Sequence, residues 1–274
     1  MKRRKLLSSI GVNALAWFLS LILLAPLLLI LVNSFKTSVA ASDMNLALPS
    51  SVQWSNYSVV IEKGKLSVTF LNSVLYSVAS VLLCTLLCTM ASYVLSRNRR
   101  RLHRFLYLFL VLGIAMPVNF ITLMKTMQTL KLMGTRTGII LVYTATQTPF
   151  NIFLIHSFVS KVSPEIDEAA VIDGASPLGL FFRIVMPLLK PVLVTVMVLT
   201  FLNTWNEFVM PLYFLNRTDK WPMTLAVYNF FGMYFKDWNL VCADIVLTSL
   251  PVIIVYLLGQ KYIVSGMTAG AVKG

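Results

Sequence analysis

The sequence predicts an all-α fold: a polytopic membrane bundle of six transmembrane helices. Three observations predict it. Of the 274 residues, 58% are hydrophobic and only 12% are charged, where a soluble globular domain carries about 25% charged residues. Six apolar runs reach the length of about 20 residues that a helix needs to cross a bilayer. They are about Val12–Val32, Val68–Leu95, Phe105–Met124, Ile139–Val159, Val192–Leu215 and Ala243–Val264. The Lys and Arg residues lie between the runs and no basic stretch is interleaved with stacking aromatics. The net charge of +13 therefore speaks for orientation over an anionic inner leaflet and against nucleic acid as a partner.

The first run follows Lys2-Arg-Arg-Lys5, which mimics a signal peptide. The apolar stretch from Ala14 is too long for a signal h-region and no Ala-x-Ala site follows it, so it reads as a retained span. With the N-terminus inside, the inner segments carry 14 Lys plus Arg against 9 outside, and the first two, Lys2–Lys5 and Arg97-Asn-Arg-Arg-Arg-Leu-His-Arg104, are decisive. Both termini are then cytoplasmic.

The second run places Ser73 and Ser77, then Ser80, Cys84, Cys88 and Ser92, at four-residue spacing along a helix. Small residues so placed form a seam that another helix can approach closely, with lining of a pathway as the second reading. Three cysteines make no disulfide framework. Cys84 and Cys88 have no His or acidic neighbour, so packing is preferred to metal or redox chemistry.

In the third run Pro117 and Asn119 interrupt the apolar pattern, as Pro251 does in the sixth. The fourth contains Thr144-Ala-Thr-Gln-Thr-Pro-Phe-Asn151, whose polar side chains are costly against lipid and should face protein or water, with a kink at Pro149. The fifth contains Asn203-Thr-Trp-Asn-Glu-Phe208. Glu207 stands in the middle region of a spanning run, lining a transport path or held in a network with Asn203 and Asn206. Asn119, Gln147, Asn151, Asn206 and Glu207 are the candidate substrate-path residues. The outer segment 216–242 carries Trp221, Tyr228, Phe230, Phe231, Tyr234 and Trp238, which suit an interface belt, a lid or a surface for an external partner.

Between the fourth and fifth runs lies Ser163–Pro187, with four of the ten acidic residues. Ser163 predicts an N-cap with Pro164 at the first helical position, and Glu165, Asp167 and Glu168 load the positive end of the helix dipole. Ile166, Ala169, Ala170 and Asp173 share a narrow, small-residue face. Gly174 suits the left-handed position after the helix, and Ser176-Pro177 starts a second helix that Pro187 ends or kinks. An acidic, alanine-faced helix disfavours lying on anionic lipid and favours docking on a protein.

Glu168-Ala-Ala-x-x-Asp-Gly-Ala175 followed by Ile184-x-x-Pro187 and Pro191 resembles the EAA coupling loop of ABC importer permeases. Asn33-Ser-Phe-Lys-Thr37, Asn72-Ser73, Trp205-Asn-Glu-Phe208 and Gly266-Met-Thr-Ala-Gly-Ala-Val-Lys-Gly274 are similar to the carbohydrate branch, in its shorter maltose-type permease. Met186 departs conservatively from the leucine usual there. The resemblance implies a type I importer permease fold in one transmembrane domain, residues 1–274. Its core would be about 68–264, its coupling loop 163–187 and its cytoplasmic tail 265–274. It implies a prokaryotic cytoplasmic membrane and four kinds of partner: a second permease, two ATP-binding cassette ATPases, an external solute-binding protein and a carbohydrate substrate. Glu168, Ala169, Ala170, Asp173, Gly174, Ala175 and Pro187 would couple to the ATPase, with the Gly/Ala-rich tail reaching between the ATPases.

No cofactor is expected on this chain. It has no G-x-x-x-x-G-K-[ST], so ATP and Mg belong to the partner ATPases. An ion-coupled secondary transporter using Glu207 is the competing reading. An enzyme is disfavoured, because His103 and His156 are far apart and neither HExxH nor Gly-x-Ser-x-Gly occurs.

Overall fold

The computed structural model describes residues 2–98, 100–230 and 237–271. Among them are helices and connecting loops and no strand. In order, the helices are α1 (Lys2–Asn33), α2 (Ser38–Ser42), α3 (Ser55–Lys63), α4 (Leu66–Arg97), α5 (Arg101–Leu112), α6 (Phe120–Thr129), α7 (Arg136–Val159) and α8 (Glu165–Ile172). After them come α9 (Pro177–Gly179), a π-helical turn (Leu180–Val185), α10 (Met186–Leu188), α11 (Lys190–Asn206), α12 (Val209–Phe214), α13 (Met223–Ala226) and α14 (Trp238–Ala271). Arg99, Phe231, Tyr234 and the tail residues Val272–Gly274 lie outside the described residues.

Among the described residues four helices are long and apolar enough to cross a membrane: Leu15–Asn33 of α1, all of α4 and α7, and Trp238–Tyr262 of α14. A fifth candidate is a bent pair, Pro177–Leu188 with Lys190–Asn206, which meet at 79°. The third run is broken where Pro117 and Asn119 interrupt its apolar pattern, and the fifth, expected as one span, is broken as well. The third divides into α5 and α6. Pro117 has no N–H to continue a helix, and Asn119 restarts it by accepting the Thr122 N–H at 3.0 Å. The fifth breaks at Glu207, whose backbone is extended (ψ 124°). Pro211 has no N–H to give the Glu207 carbonyl, and the Thr224 hydroxyl donates to it instead at 3.0 Å. Pro149, by contrast, lies within an uninterrupted α7.

The chain forms two compact units. One comprises Met1–Ser67 and Ala226–Leu250. Within it Asn33, Ser34 and Lys36 are buried, as is Asn56. Asn56 donates to the Ser34 and Lys36 carbonyls and accepts from Asn239, and Lys36 Nζ donates to the Asn45 carbonyl and side-chain oxygens at 2.8 Å. Phe35 packs edge-on to Trp54 at 4.9 Å. The Asn33–Thr37 motif is thus a structural knot at the end of α1, where the buried donors are paired because water cannot solvate them, while Asn33 Oδ1 has no partner among the described residues.

The other unit comprises Val68–Leu225 and Pro251–Gly274. Its spine is the contact of α4 with α7. Ser80, Cys84, Cys88 and Ser92 are all buried and point at the carbonyls of Ile140, Thr144, Thr148 and Ile152, at 3.4, 3.8, 3.8 and 3.4 Å. Each pair is separated by 60 residues, so the two helices run parallel and in register over three turns. The expected small-residue seam is this contact. Hydroxyls of Thr144, Thr146 and Thr148 return to carbonyls one turn back on α7, which keeps them from standing bare in an apolar setting. A Cβ on Gly113 would lie 2.8 Å from Pro149 Cγ, so the end of α5 approaches α7 too closely for any side chain there.

At one end of this unit, Asn72 Nδ2 donates to the carbonyls of Asp219 and Trp221 at 3.0 Å each, and Tyr76 donates to that of Lys220 at 2.7 Å. Ser73 Oγ accepts the Met223 N–H at 2.8 Å, and Arg136 donates to Asn72 Oδ1 and to the Asp219 carbonyl. Asn72-Ser73 therefore ties α4 to the 219–223 loop. In that loop the Arg217 guanidinium lowers the Asp219 pKa through its hydrogen bonds.

Candidate functional site

At the opposite end of the second unit, α8 presents the Glu168–Ala175 stretch. The helix begins at Glu165, one residue later than the sequence predicts. Pro164 makes no side-chain cap, and Ser163 Oγ accepts the Glu165 N–H at 3.3 Å. Its end is a Schellman turn: Ala175 N–H reaches the Ala170 carbonyl at 2.9 Å and Gly174 N–H that of Val171 at 3.0 Å. Gly174 sits at φ +82°, which only glycine adopts without cost, and a Cβ there would meet nothing within 4 Å.

The small-residue face divides. Ala170 is buried in the core formed by Cys88, Ile155, Val159, Leu180 and Val185, so it packs against its own chain. Glu168, Ala169, Asp173 and Gly174 are exposed. Beside them Val171 and Ile172 are 60% and 85% exposed, a large apolar offering for so short a helix. Ala175 is half-buried. Pro187 is exposed at the foot of the 79° bend into α11. The π-helical turn Leu180–Val185 precedes it, because Pro187 offers no N–H to the carbonyl one turn back and its ring crowds that carbonyl.

Asp167 does something the dipole argument missed. Its carboxylate accepts Arg97 Nε at 2.7 Å and the Tyr93 hydroxyl at 2.9 Å, and Arg97 Nη1 also donates to the Val162 carbonyl at 2.9 Å. Both charged side chains are about 15% exposed. Arg97, read from the sequence as part of a topology anchor, thus clamps α8 to the last turn of α4. Nothing local in the sequence reveals the pair, since 70 residues separate the partners.

The substrate-path candidates scatter. Asn119 is exposed and caps α6. Asn151, 1% exposed, donates to Thr200 Oγ1 at 2.9 Å and Cys84 Sγ at 3.0 Å, locking α7, α11 and α4 together. Gln147 Oε1 accepts from Asn203 at 3.2 Å, so α7 and α11 share two amide contacts. Asn206 is exposed. Glu207 joins no network with Asn203 and Asn206. Its Oε1 instead accepts the N–H groups of Val209 and Met210 at 2.8 and 3.0 Å, capping α12. Trp205 is buried and stacks on Phe201 at 5.4 Å. Sequence reading missed Asp244, which is 1% exposed in α14 with Oδ1 unpaired among the described residues. It lies at the edge of its apolar run, where a carboxylate draws no notice.

Long apolar helices and broken spans, with an exposed, clamped helix between two of them, are the architecture of a multi-pass membrane protein. The family model for the binding-protein-dependent transport system inner membrane component matches residues 86–269. The chain is 32% identical to the diacetylchitobiose uptake system permease protein of Streptomyces coelicolor, over 95% of this chain and 88% of the relative. It is also 32% identical to the multiple sugar-binding transport system permease protein of Streptococcus mutans, over 92% and 93%. A crystal structure of a bacterial ABC transporter involved in the import of the acidic polysaccharide alginate includes a chain that superposes with a TM-score of 0.83. Sequence identity there is 25%, over 93% of this chain and 96% of that one. The chain belongs to the family of binding-protein-dependent transport system inner membrane components. It has the type I importer fold and is a permease subunit, not an enzyme.

Proposed function

We propose that this chain is one permease of an ATP-driven importer of a sugar or oligosaccharide. It pairs with a second permease, receives substrate from an external solute-binding protein and is driven by two cytoplasmic ATPases. The relatives' named substrates, diacetylchitobiose and multiple sugars, support a carbohydrate. The observation that carries the coupling role is the division of labour on α8. Asp167 and Ala170 are fixed to the chain's own body, while Glu168, Ala169, Ile172, Asp173 and Gly174 are exposed. An exposed carboxylate beside exposed aliphatic side chains fits a groove with an apolar floor and a basic rim, and the clamp passes its movement to α4. Positive charge on the inner segments supports cytoplasmic termini. ATP and Mg bind the ATPase subunits, as this chain has no phosphate-cradling loop.

Glu168→Lys or Gly174→Asp should leave insertion and assembly intact while uncoupling ATP hydrolysis from uptake. Sugar uptake at the wild-type rate in either variant would refute the coupling role. The ion-coupled alternative placed a proton or sodium site at Glu207. The cap that Glu207 forms on α12 is the observation that weakens it.

A further inference from the structure

Where α4 and α7 end, a cleft of about 460 Å³ opens against α5. Ser96 and Asn98 line it from α4 and its end, Arg104 and Tyr107 from α5, and His156 from α7. Tyr107 and His156 stack with ring centroids 4.0 Å apart and form a flat wall. Among the described residues no carboxylate lines the cleft. Arg104 is exposed and, among the described residues, has no ion-pair partner, whereas the nearby Arg97 is committed to Asp167. The position is also informative: Leu95 and His156 lie in the last turn or so of two helices long and apolar enough to span a bilayer, so the cleft lies at the ends of two candidate spans. From it runs an uncovered apolar stripe on α5. Leu102, Phe105, Phe109 and Leu112 are 56–63% exposed, and no residue of α5 is buried.

We propose that this cleft binds the phosphodiester headgroup of an anionic phospholipid. Arg104 is its cation, Ser96 and Asn98 donate hydrogen bonds, and the acyl chains lie along the Phe105–Leu112 face of α5. A basic pocket between spanning helices that continues into an apolar ramp matches the two-part chemistry of such a lipid. A soluble phosphate compound would use the pocket and leave the ramp bare. The site is independent of which substrate the transporter carries.

The test uses the assembled transporter, delipidated and reloaded, with bound lipid counted by native mass spectrometry. Wild type should retain phosphatidylglycerol about fivefold over phosphatidylcholine, and Arg104→Gln should abolish most of that preference. Leu108→Glu keeps Arg104 but adds a carboxylate to the lining, and should do the same. Glycerophosphoglycerol, the headgroup without tails, should compete poorly. Equal retention of the two lipids by wild type, or an undiminished preference in both variants, overturns the proposal. Competition by the tail-less headgroup as strong as that of the whole lipid overturns it in favour of a phosphate site.

Discussion

Replacing Asp167 with asparagine keeps the side chain's shape and removes its charge. The consequence follows from the clamp's geometry. Removing one partner of a wholly buried ion pair costs about 3–5 kcal/mol, because the remaining charge is left uncompensated. Here both side chains are about 15% exposed and Arg97 keeps its 2.9 Å bond to the Val162 carbonyl. Water and that carbonyl absorb part of the loss, so about 2 kcal/mol is the expected cost to the docked state of α8. Such a cost raises the open population about 30-fold. Hydrogen exchange of the assembled transporter reads this directly at the Gly174 and Ala175 amides, whose bonds close the Schellman turn. They should exchange about 30-fold faster in Asp167→Asn, with ATP hydrolysis continuing while uptake falls. The charge-swapped Arg97→Asp/Asp167→Arg pair should recover part of the protection. Exchange within twofold of wild type in the single variant would refute the clamp.

Two further perturbations probe the spans. Glu207→Gln retains a capping oxygen for Val209 and Met210 and should leave thermal stability and sugar uptake near wild type. Glu207→Ala should lose about 1 kcal/mol by removing the cap, and uptake abolished in the glutamine variant would restore a proton- or sodium-binding role. A Cβ on Gly259 would lie 2.7 Å from Val198 Cγ1, so Gly259→Ala should lower the melting temperature by overpacking. Adding Val198→Ala should restore most of it; failure of the double variant to recover would show that α14 does not pack on α11 there.

Helix positions were legible because apolar length alone marks a span. The breaks were half-legible. Pro117, Asn119 and Glu207 were visible as polar interruptions, but their effect depends on capping geometry and, for Pro211, on a carbonyl that Thr224 supplies with a donor from 17 residues away. The helix, turn and second helix start within 163–187 are readable from spacing, whereas the direction of the small-residue face is not. Ala169 and Ala170 share a helical period, and only the fold turns Ala170 inward and exposes Val171 and Ile172. The Arg97–Asp167 pair and the 60-residue register of the seam are long-range facts that no local window contains. Asn33–Thr37, Asn72-Ser73 and Trp205–Phe208 carry part of the family resemblance in the sequence. They turn out to be fasteners at helix ends.

The in-register seam also has a mechanical side. Two helices meshed tooth by tooth over three turns resist sliding past each other, so α4 and α7 behave as a single twin-shafted rod. Arg97 grips that rod at one end, and Asn72, with Arg136, holds the 219–223 loop at the other. The 25 residues between the two grips span about 38 Å at the helical rise of about 1.5 Å per residue. A tilt of about 5° at the α8 end therefore displaces the far loop by about 3 Å, with no hinge in between to absorb the stroke.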